Sequence, residues 1–305
     1  MKILNISASD WSNFAYDNML ALQSVGLNCD SVVTTPHQFY ESQSKHLHAS
    51  VIAKMISDYD VIQFFHDNIN LFGVLTNAMK CKKIIAYHTS SEYRKNSAYI
   101  NSIMNPIIYK SVNAMPEFMY LGSYNPVYMV GAVDTDKLFP SERVTDSEAI
   151  FAHYPSNPVV KGTDKIIETV SKLPVIFKHS TSLVRYPEQL KRISECDIYI
   201  EMLTEKDANG MPYGNFGITA LEAAALGKVV ITGLRDREVY DYAYGFCGLN
   251  IANTSNKLKR TIESLSNYSG DYLKGQQQIT REWVVKNHSY KATGEYYLRN
   301  VLSEI

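Results

Sequence analysis

The stretch Tyr213–Gly233, YGNFGITALEAAALGKVVITG, writes a loop, a helix and a buried strand in immediate succession. Ala220–Leu226 is built from the strongest helix formers, and Gly227 supplies the stop. Val229–Thr232 follows as a short, β-branched apolar run, the mark of a buried strand. Ahead of the helix, Gly214, Asn215, Phe216 and Gly217 form a loop that a ligand can approach closely. The N–H groups at Gly217, Ile218 and Thr219 open the helix without intrahelical partners, an anion site suited to a diphosphate. Glu222 lies one turn in, too far along to cap the helix start. Its carboxylate suits the vicinal hydroxyls of a sugar; the plain alternative is a solvent-facing helix carboxylate.

The same alternation extends in both directions. Strands are expected at Lys2–Ile6, Ser31–Thr34, Val61–Phe65, Ile84–Tyr87, Phe118–Leu121 and Val127–Val130. A second series follows at Ala149–Ala152, Val175–Phe177, Asp197–Ile200 and Val229–Thr232. Segments of helical period lie between them, which implies βαβ units and parallel sheets. The polar stretch VGAVDTDKLFPSERVTDSE separates the two series and carries Pro140. The expected organisation is therefore an α/β chain of two Rossmann-like, doubly wound domains, 1–133 and 148–280, joined by a hinge at 134–147. A C-terminal helix over 281–305 is expected to pack back across the interdomain region. In such an arrangement the carboxyl ends of both sheets face a cleft, where ligands of α/β proteins bind.

Composition narrows the function. The 305 residues are 45% hydrophobic and 20% charged, with 30 Lys+Arg against 31 Asp+Glu and a formal charge of −1. That balance argues against a nucleic-acid carrier with a general basic excess. Cys29, Cys81, Cys196 and Cys247 lie far apart without a CxxC, so reduced thiols are expected rather than a disulfide framework or a zinc knuckle. No run approaches the roughly 20 apolar residues of a membrane span or the apolar core of a secretory signal. A soluble, cytoplasmic protein is expected. The apolar mixture in Tyr99–Tyr120 leaves peripheral membrane contact open beside simple core packing.

Further candidates follow the strands. In Ala152–Val170, AHYPSNPVVKGTDKIIETV, a strand end and a Pro-containing loop lead to Lys161-Gly162-Thr163 at a helix start, where a lysine is a good point charge for a phosphate. Ser156 and Asn157 can add hydrogen bonds there. In Ile84–Asn96, IIAYHTSSEYRKN, His88 directly follows a strand, with the pair His66-Asp67 as its competitor after VIQFF. The first strand-to-helix loop, Ser9–Asn13 (SDWSN), lacks GxGxxG and reads poorly as a dinucleotide site. Its hydroxyls and amides can still face phosphates, with Trp11 shaping the acceptor side.

Taken together, Gly217, Leu221, Glu222 and Ala223, the K-G-T of Lys161–Thr163 and the hinge segment VGAVDTDKLFP resemble the retaining GT-B glycosyltransferases of the group 1 (GT4-like) class. The resemblance implies transfer of a sugar from a nucleotide diphospho-sugar to an acceptor hydroxyl, without a cofactor or a bound metal. It assigns Ser156, Asn215, Phe216, Gly217, Ile218, Thr219 and Glu222 to the donor, with Glu222 on its ribose. Lys161 neutralises the diphosphate, and His88 lies near the reacting carbon. The first Glu of the class motif is replaced by Gly214, with Glu201 and Glu205 as the carboxylates upstream. No Arg accompanies Lys161 between Ile150 and Lys161. Asp134-Thr135-Asp136 spells the DxD that binds metal in the unrelated GT-A enzymes, but its place in the linker argues against that role. The implied acceptor is a glycan or lipid precursor, or a hydroxylated nucleobase in DNA. The rival readings are a nucleotide-sugar epimerase or hydrolase on the same fold and a non-catalytic nucleotide-sugar-binding protein.

Overall fold

Twelve strands build two parallel sheets in the computed structural model, which describes residues 1–37, 43–140, 148–204, 206, 210, 213–267 and 270–303. Glu205 and the 141–147 part of the expected hinge lie outside the described residues. The chain divides into two compact units, Met1–Ala132 with His288–Ile305, and Val133–Asn287.

In the first unit, β1 (Lys2–Ser7), β2 (Asn28–Val33), β3 (Lys45–His46), β4 (Val61–Phe65), β5 (Lys83–His88), β6 (Lys110–Asn113) and β7 (Pro126–Tyr128) lie in the order β3-β2-β1-β4-β5-β6-β7. The central strands are buried on both faces because helices cover both. Leu4, Ile6, Ile62, Phe64, Ile84 and Ala86 pack with Phe72 and Leu75 of the helix Ile69–Met79 and with Tyr93 and Ile100 of the helix Ser91–Met104. On the opposite face, Asn5 donates to Ala15 O (2.8 Å) and to Asn18 Oδ1 (3.1 Å) of the helix Phe14–Ser24.

One expected strand in this unit is corrected. Phe118–Leu121 is not a strand; Pro116–Tyr120 forms a 3₁₀ turn, begun by a proline that fixes φ and removes a donor. The strand lies instead at Lys110–Asn113, where all four residues are buried and Lys110 Nζ reaches Asn300 O (3.4 Å). Its polar composition conceals it from any hydrophobic pattern.

In the second unit, β8 (Ile150–His153), β9 (Ile176–His179), β10 (Ile198–Ile200), β11 (Val229–Thr232) and β12 (Asn250–Ile251) lie in the order β12-β11-β10-β8-β9. Phe151, Ile198, Ile200, Val229 and Ile231 form its core with Ile166, Leu258 and Ile262. The helix Ile218–Ala225 is buried along Ala220–Ala225. Arg281 ties three segments of this unit together, donating to Thr135 O (2.6 Å), Leu138 O (2.8 Å) and Ala225 O (2.5 Å).

The C-terminal region is two helices rather than one over 281–305. Gly270–His288 ends at Ser289, whose hydroxyl accepts from Ala292 N (3.3 Å) and starts Tyr290–Asn300. The second helix belongs to the first unit, where Tyr290 Oη donates to Asp17 Oδ1 (2.7 Å). No helix among the described residues is long and apolar enough to cross a membrane.

Strand order reverses between β1 and β4 in one sheet and between β8 and β10 in the other. At such switch points the loops leave the carboxyl ends in opposite directions and open a crevice for a ligand. Both crevices are lined with polar side chains.

At Gly294 a Cβ would collide with Ala21 O and crowd both methyls of Val25. Gly294→Ala is therefore expected to destabilise the protein by about 1–3 kcal/mol, the usual consequence of overfilling a packed contact. Urea denaturation checks this; an unchanged midpoint contradicts the close crossing.

Candidate functional site

The switch point of the second unit is closed by His153, the last residue of β8. It is fully buried, with Nδ1 donating to Ile200 O (2.7 Å) and Nε2 accepting from Thr163 Oγ1 (2.9 Å). Burial pushes its pKa down to about 4, so the ring is neutral and acts as a brace between strand ends. The short helix Pro158–Lys161 is capped by Asn157 and ends at Gly162, which has φ +68°. A side chain at Gly162 would strike Leu203 O. This close approach lets Leu203 N donate to Lys161 O (2.9 Å) and Thr204 Oγ1 to Val160 O (2.7 Å).

That stitching delivers Lys161 to Glu201, the first residue after β10. Lys161 Nζ donates to Glu201 Oε1, while Thr232 Oγ1 at the end of β11 donates to Oε2 (2.7 Å). Glu201 is buried; Lys161 keeps 16% of its side chain exposed. Burial alone would lower the Lys161 pKa, but the Glu201 carboxylate reverses the effect and raises it, so the ammonium stays charged. The start of the alanine-rich helix faces the same pair. A Cβ at Gly217 would lie 3.6 Å from Lys161 Nζ and 3.7 Å from Glu201 Oε1.

The expected donor residues divide by what their side chains do. Gly217, Ile218 and Thr219 are partly exposed at a helix start that no side chain caps, so their amides can meet an anion. Ser156 is exposed in the loop before Asn157. Asn215 turns inward: Oδ1 accepts from Arg235 N (2.9 Å) and Asp236 N (3.4 Å), and Nδ2 donates to Asp236 Oδ2 (3.2 Å). Phe216 is buried edge-to-face against Tyr240 and Trp283. These two shape the loop with their side chains. Gly214 has φ +124° and packs against Gly233 in a backbone conformation a glutamate would adopt only with strain. Glu222 is buried rather than solvent-facing and accepts from the Tyr186 hydroxyl; burial pushes its carboxyl up to about 7.

The first unit has its own polar cluster at β1 and β4. Asp10 accepts from Ala15 N (2.8 Å) and Tyr16 N (2.9 Å), so its carboxylate already holds these amides at the start of the first long helix. Asp10 Oδ1 also pairs with His66 Nε2 (3.2 Å), and His66 Nδ1 meets Thr89 Oγ1 (2.5 Å). The next residue, Asp67, holds His88 Nδ1 through Oδ1 (2.5 Å) and Ser90 Oγ through Oδ2 (2.8 Å). His88 is fully buried and stacked on Tyr93, and its Nε2 has no hydrogen-bond partner among the described residues. Among the described residues, five non-glycine residues have positive φ, and four of them, Ser12, Asn13, His66 and Asp67, lie at this edge. Such clustering of strained backbone accompanies functional sites.

Asp134 closes its own turn, accepting from Lys137 N (3.0 Å) and pairing with Lys137 Nζ (3.1 Å). Among the described residues no group of three or more His, Cys, Asp or Glu could hold a metal ion. Asp10, His153 and Thr232 escaped sequence reasoning. Their one signal is a polar residue at or just beyond the end of an expected strand.

The sequence matches no protein-family model and no curated protein. Solved structures do match. HepE of Anabaena, crystallised with UDP-glucose, has 11% identity and a TM-score of 0.72, with both chains fully covered. Sucrose-phosphate synthase of Thermosynechococcus elongatus has 10% identity and a TM-score of 0.67, again over the whole of both chains. A glycosyltransferase of Rickettsia africae has 16% identity and a TM-score of 0.65 over 98% of this chain and 97% of its own. The fold is the two-unit, Rossmann-like GT-B architecture.

The buried Glu222 also links stability to pH. Its carboxyl is raised to about 7 in the folded protein from 4.5. The folded state therefore holds a proton that the unfolded chain releases between these values, and this contribution to stability is lost as pH rises through about 7. Glu222→Gln should remove that decline and raise the melting temperature relative to the parent above pH 7. Thermal melts from pH 5 to 8 check this, and parallel curves for the two proteins contradict it.

Proposed function

We propose that the protein is a cytoplasmic glycosyltransferase of the GT4-like class, transferring a sugar from a nucleotide diphospho-sugar to an acceptor hydroxyl with retention of configuration and without a bound metal. The observation that carries this reading is the convergence of Lys161, Glu201 and the open helix start at Gly217 on the switch point of the second unit, with Glu222 one turn further on.

The donor diphosphate is met by the Lys161 ammonium and the amides of Gly217, Ile218 and Thr219. Charge develops on its β-phosphate oxygen as the bond to the anomeric carbon breaks and the electron pair leaves with the phosphate. Fixed donors aimed at such an oxygen are usually the largest single term in catalysis. Glu222 accepts from the ribose hydroxyls, and Ser156 adds a hydrogen bond at the loop. Glu201, buried and held on two sides by Lys161 and Thr232, keeps the lysine ammonium charged and fixed beside the helix start.

The acceptor oxygen bonds to the anomeric carbon on the face that the phosphate leaves, and its proton passes to the departing phosphate oxygen. This route uses no enzymic nucleophile of the kind that retaining glycosidases use. His88 orients donor and acceptor. Asp67 accepts a hydrogen bond from the Nδ1–H, which leaves Nε2 as a buried acceptor, and an unmade hydrogen bond there is unfavourable until a ligand hydroxyl supplies it. His66 is the weaker candidate because both of its ring nitrogens already have partners.

Thermal unfolding with a panel of nucleoside diphosphates and nucleotide sugars tests this reading. A ligand at about 100 times its dissociation constant adds roughly 2.7 kcal/mol to stability, so a shift confined to one base identifies the donor. No shift with any of them contradicts the reading, and binding without turnover moves it to a non-catalytic sugar-nucleotide carrier. Lys161→Ala is expected to lower turnover by about 10²-fold or more, as loss of a single electrostatic stabiliser does. Glu222→Ala should weaken donor binding. His88→Ala should lower transfer more than donor binding; if transfer is intact, the role passes to His66.

A further inference from the structure

Building on that reading, we propose that the acceptor is a neutral saccharide whose pyranose ring stacks on Trp11 at the carboxyl edge of the first sheet. Trp11 follows β1 at the switch point and is 54% exposed, while the protein's other tryptophan, Trp283, is 4% exposed in the second unit. The indole stands perpendicular to the buried ring of His37, with centroids 4.5 Å apart, so it is braced rather than free to swing. Ser12 and Asn13 directly after it have φ +58° and +52°, a left-handed pair that side chains rarely adopt. The chain keeps this conformation with two non-glycine residues, and the outcome is a large aromatic surface held in solvent beside a polar crevice.

The chemistry around the indole selects its ligand. Asp10, adjacent in sequence, is linked through His66 to Thr89. Thr89 and Ser90 are partly exposed and offer hydroxyl oxygens. Two carboxylates, Asp10 and Asp67, underlie this edge. The amides of Ala15 and Tyr16, which could have bound a phosphate, are already held by Asp10. None of these residues carries a fixed positive charge, so they hold no lysine or arginine to pair with the backbone of DNA or a lipid phosphate. A single braced indole among hydroxyls is also unlike an apolar membrane-facing surface. It suits a ring with an apolar C–H face and a rim of hydroxyls, where stacking and hydrogen bonding act together.

Trp11 reports on its own occupancy. Tryptophan emission of the full chain is titrated with cellobiose, maltose, lactose and N,N′-diacetylchitobiose, and separately with phosphatidylglycerol vesicles and with duplex DNA containing 5-hydroxymethylcytosine. A saturable change with at least one disaccharide is expected. Trp11→Phe should lose the emission change yet keep binding by calorimetry, whereas Trp11→Ala should weaken binding by about tenfold, the scale of one aromatic contact. The proposal is overturned if no disaccharide alters the emission, if only vesicles or DNA do, or if Trp11→Ala binds the sugar as tightly as the parent. Stabilisation by nucleotide sugars, read in the same samples by thermal unfolding, separates the two failures. With stabilisation present and no disaccharide response, the acceptor assignment fails and the glycosyltransferase reading stands. With stabilisation absent, that reading fails.

Discussion

A carboxylate buried at the end of a strand must be paired, and in the second unit the arrangement around Glu201 answers that requirement. Thr232 holds one oxygen and Lys161 the other. The lysine arrives there because the turn at Gly162 lies against the backbone of Leu203. Removing one member of a buried ion pair typically costs about 3–5 kcal/mol, so lysine and glutamate hold each other in place. The pair stands between the ends of β8 and β10, where strand order reverses. A structural necessity therefore places a cation and an anion beside the open amides at Gly217.

The first unit reaches a comparable result by other means. His66 and Asp67 are consecutive, yet their side chains act in separate pairs, His66 with Asp10 and Asp67 with His88. These crosslinks join the ends of β1, β4 and β5. Both residues are left-handed there, and the hydrogen bonds they make offset the backbone strain. The two units thus present different chemistries at equivalent places. One offers a lysine and free amides suited to a diphosphate. The other offers carboxylates, imidazoles, hydroxyls and an indole suited to a polyol.

Departures from the pattern of the class that the sequence resembles have physical explanations in this arrangement. A glutamate at position 214 would have to take φ +124° against Gly233, so the glycine belongs to the loop's course. No Arg lies between Ile150 and Lys161, and Glu201 keeps the Lys161 ammonium charged despite its burial. The loop of Asn215 and Phe216 reads in sequence as one that a ligand can approach closely, but their side chains hold it to Asp236 and to the aromatic group of Tyr240 and Trp283.

The sequence by itself determined the parallel α/β class, the two series of strands and the loop–helix–strand unit at Tyr213–Gly233, because these depend on local propensity and on hydrophobic runs. It singled out Lys161, Gly217 and Glu222 for the same reason, since each stands at or near a helix start that composition alone marks. β6 escaped because Lys110, Ser111 and Asn113 are polar and are buried only through distant partners. The helix break at Ser289 escaped because one serine among helix formers is a weak stop until its hydroxyl caps the next helix. Tertiary structure alone decided the pairing of Lys161 with Glu201, 40 residues apart, and of His88 with Asp67, 21 apart. It also decided the burial that raises Glu222 and neutralises His153. Hydrogen bonds between strand ends and the desolvation of single groups depend on which strands become neighbours, and strand order is not written in any local stretch of the chain.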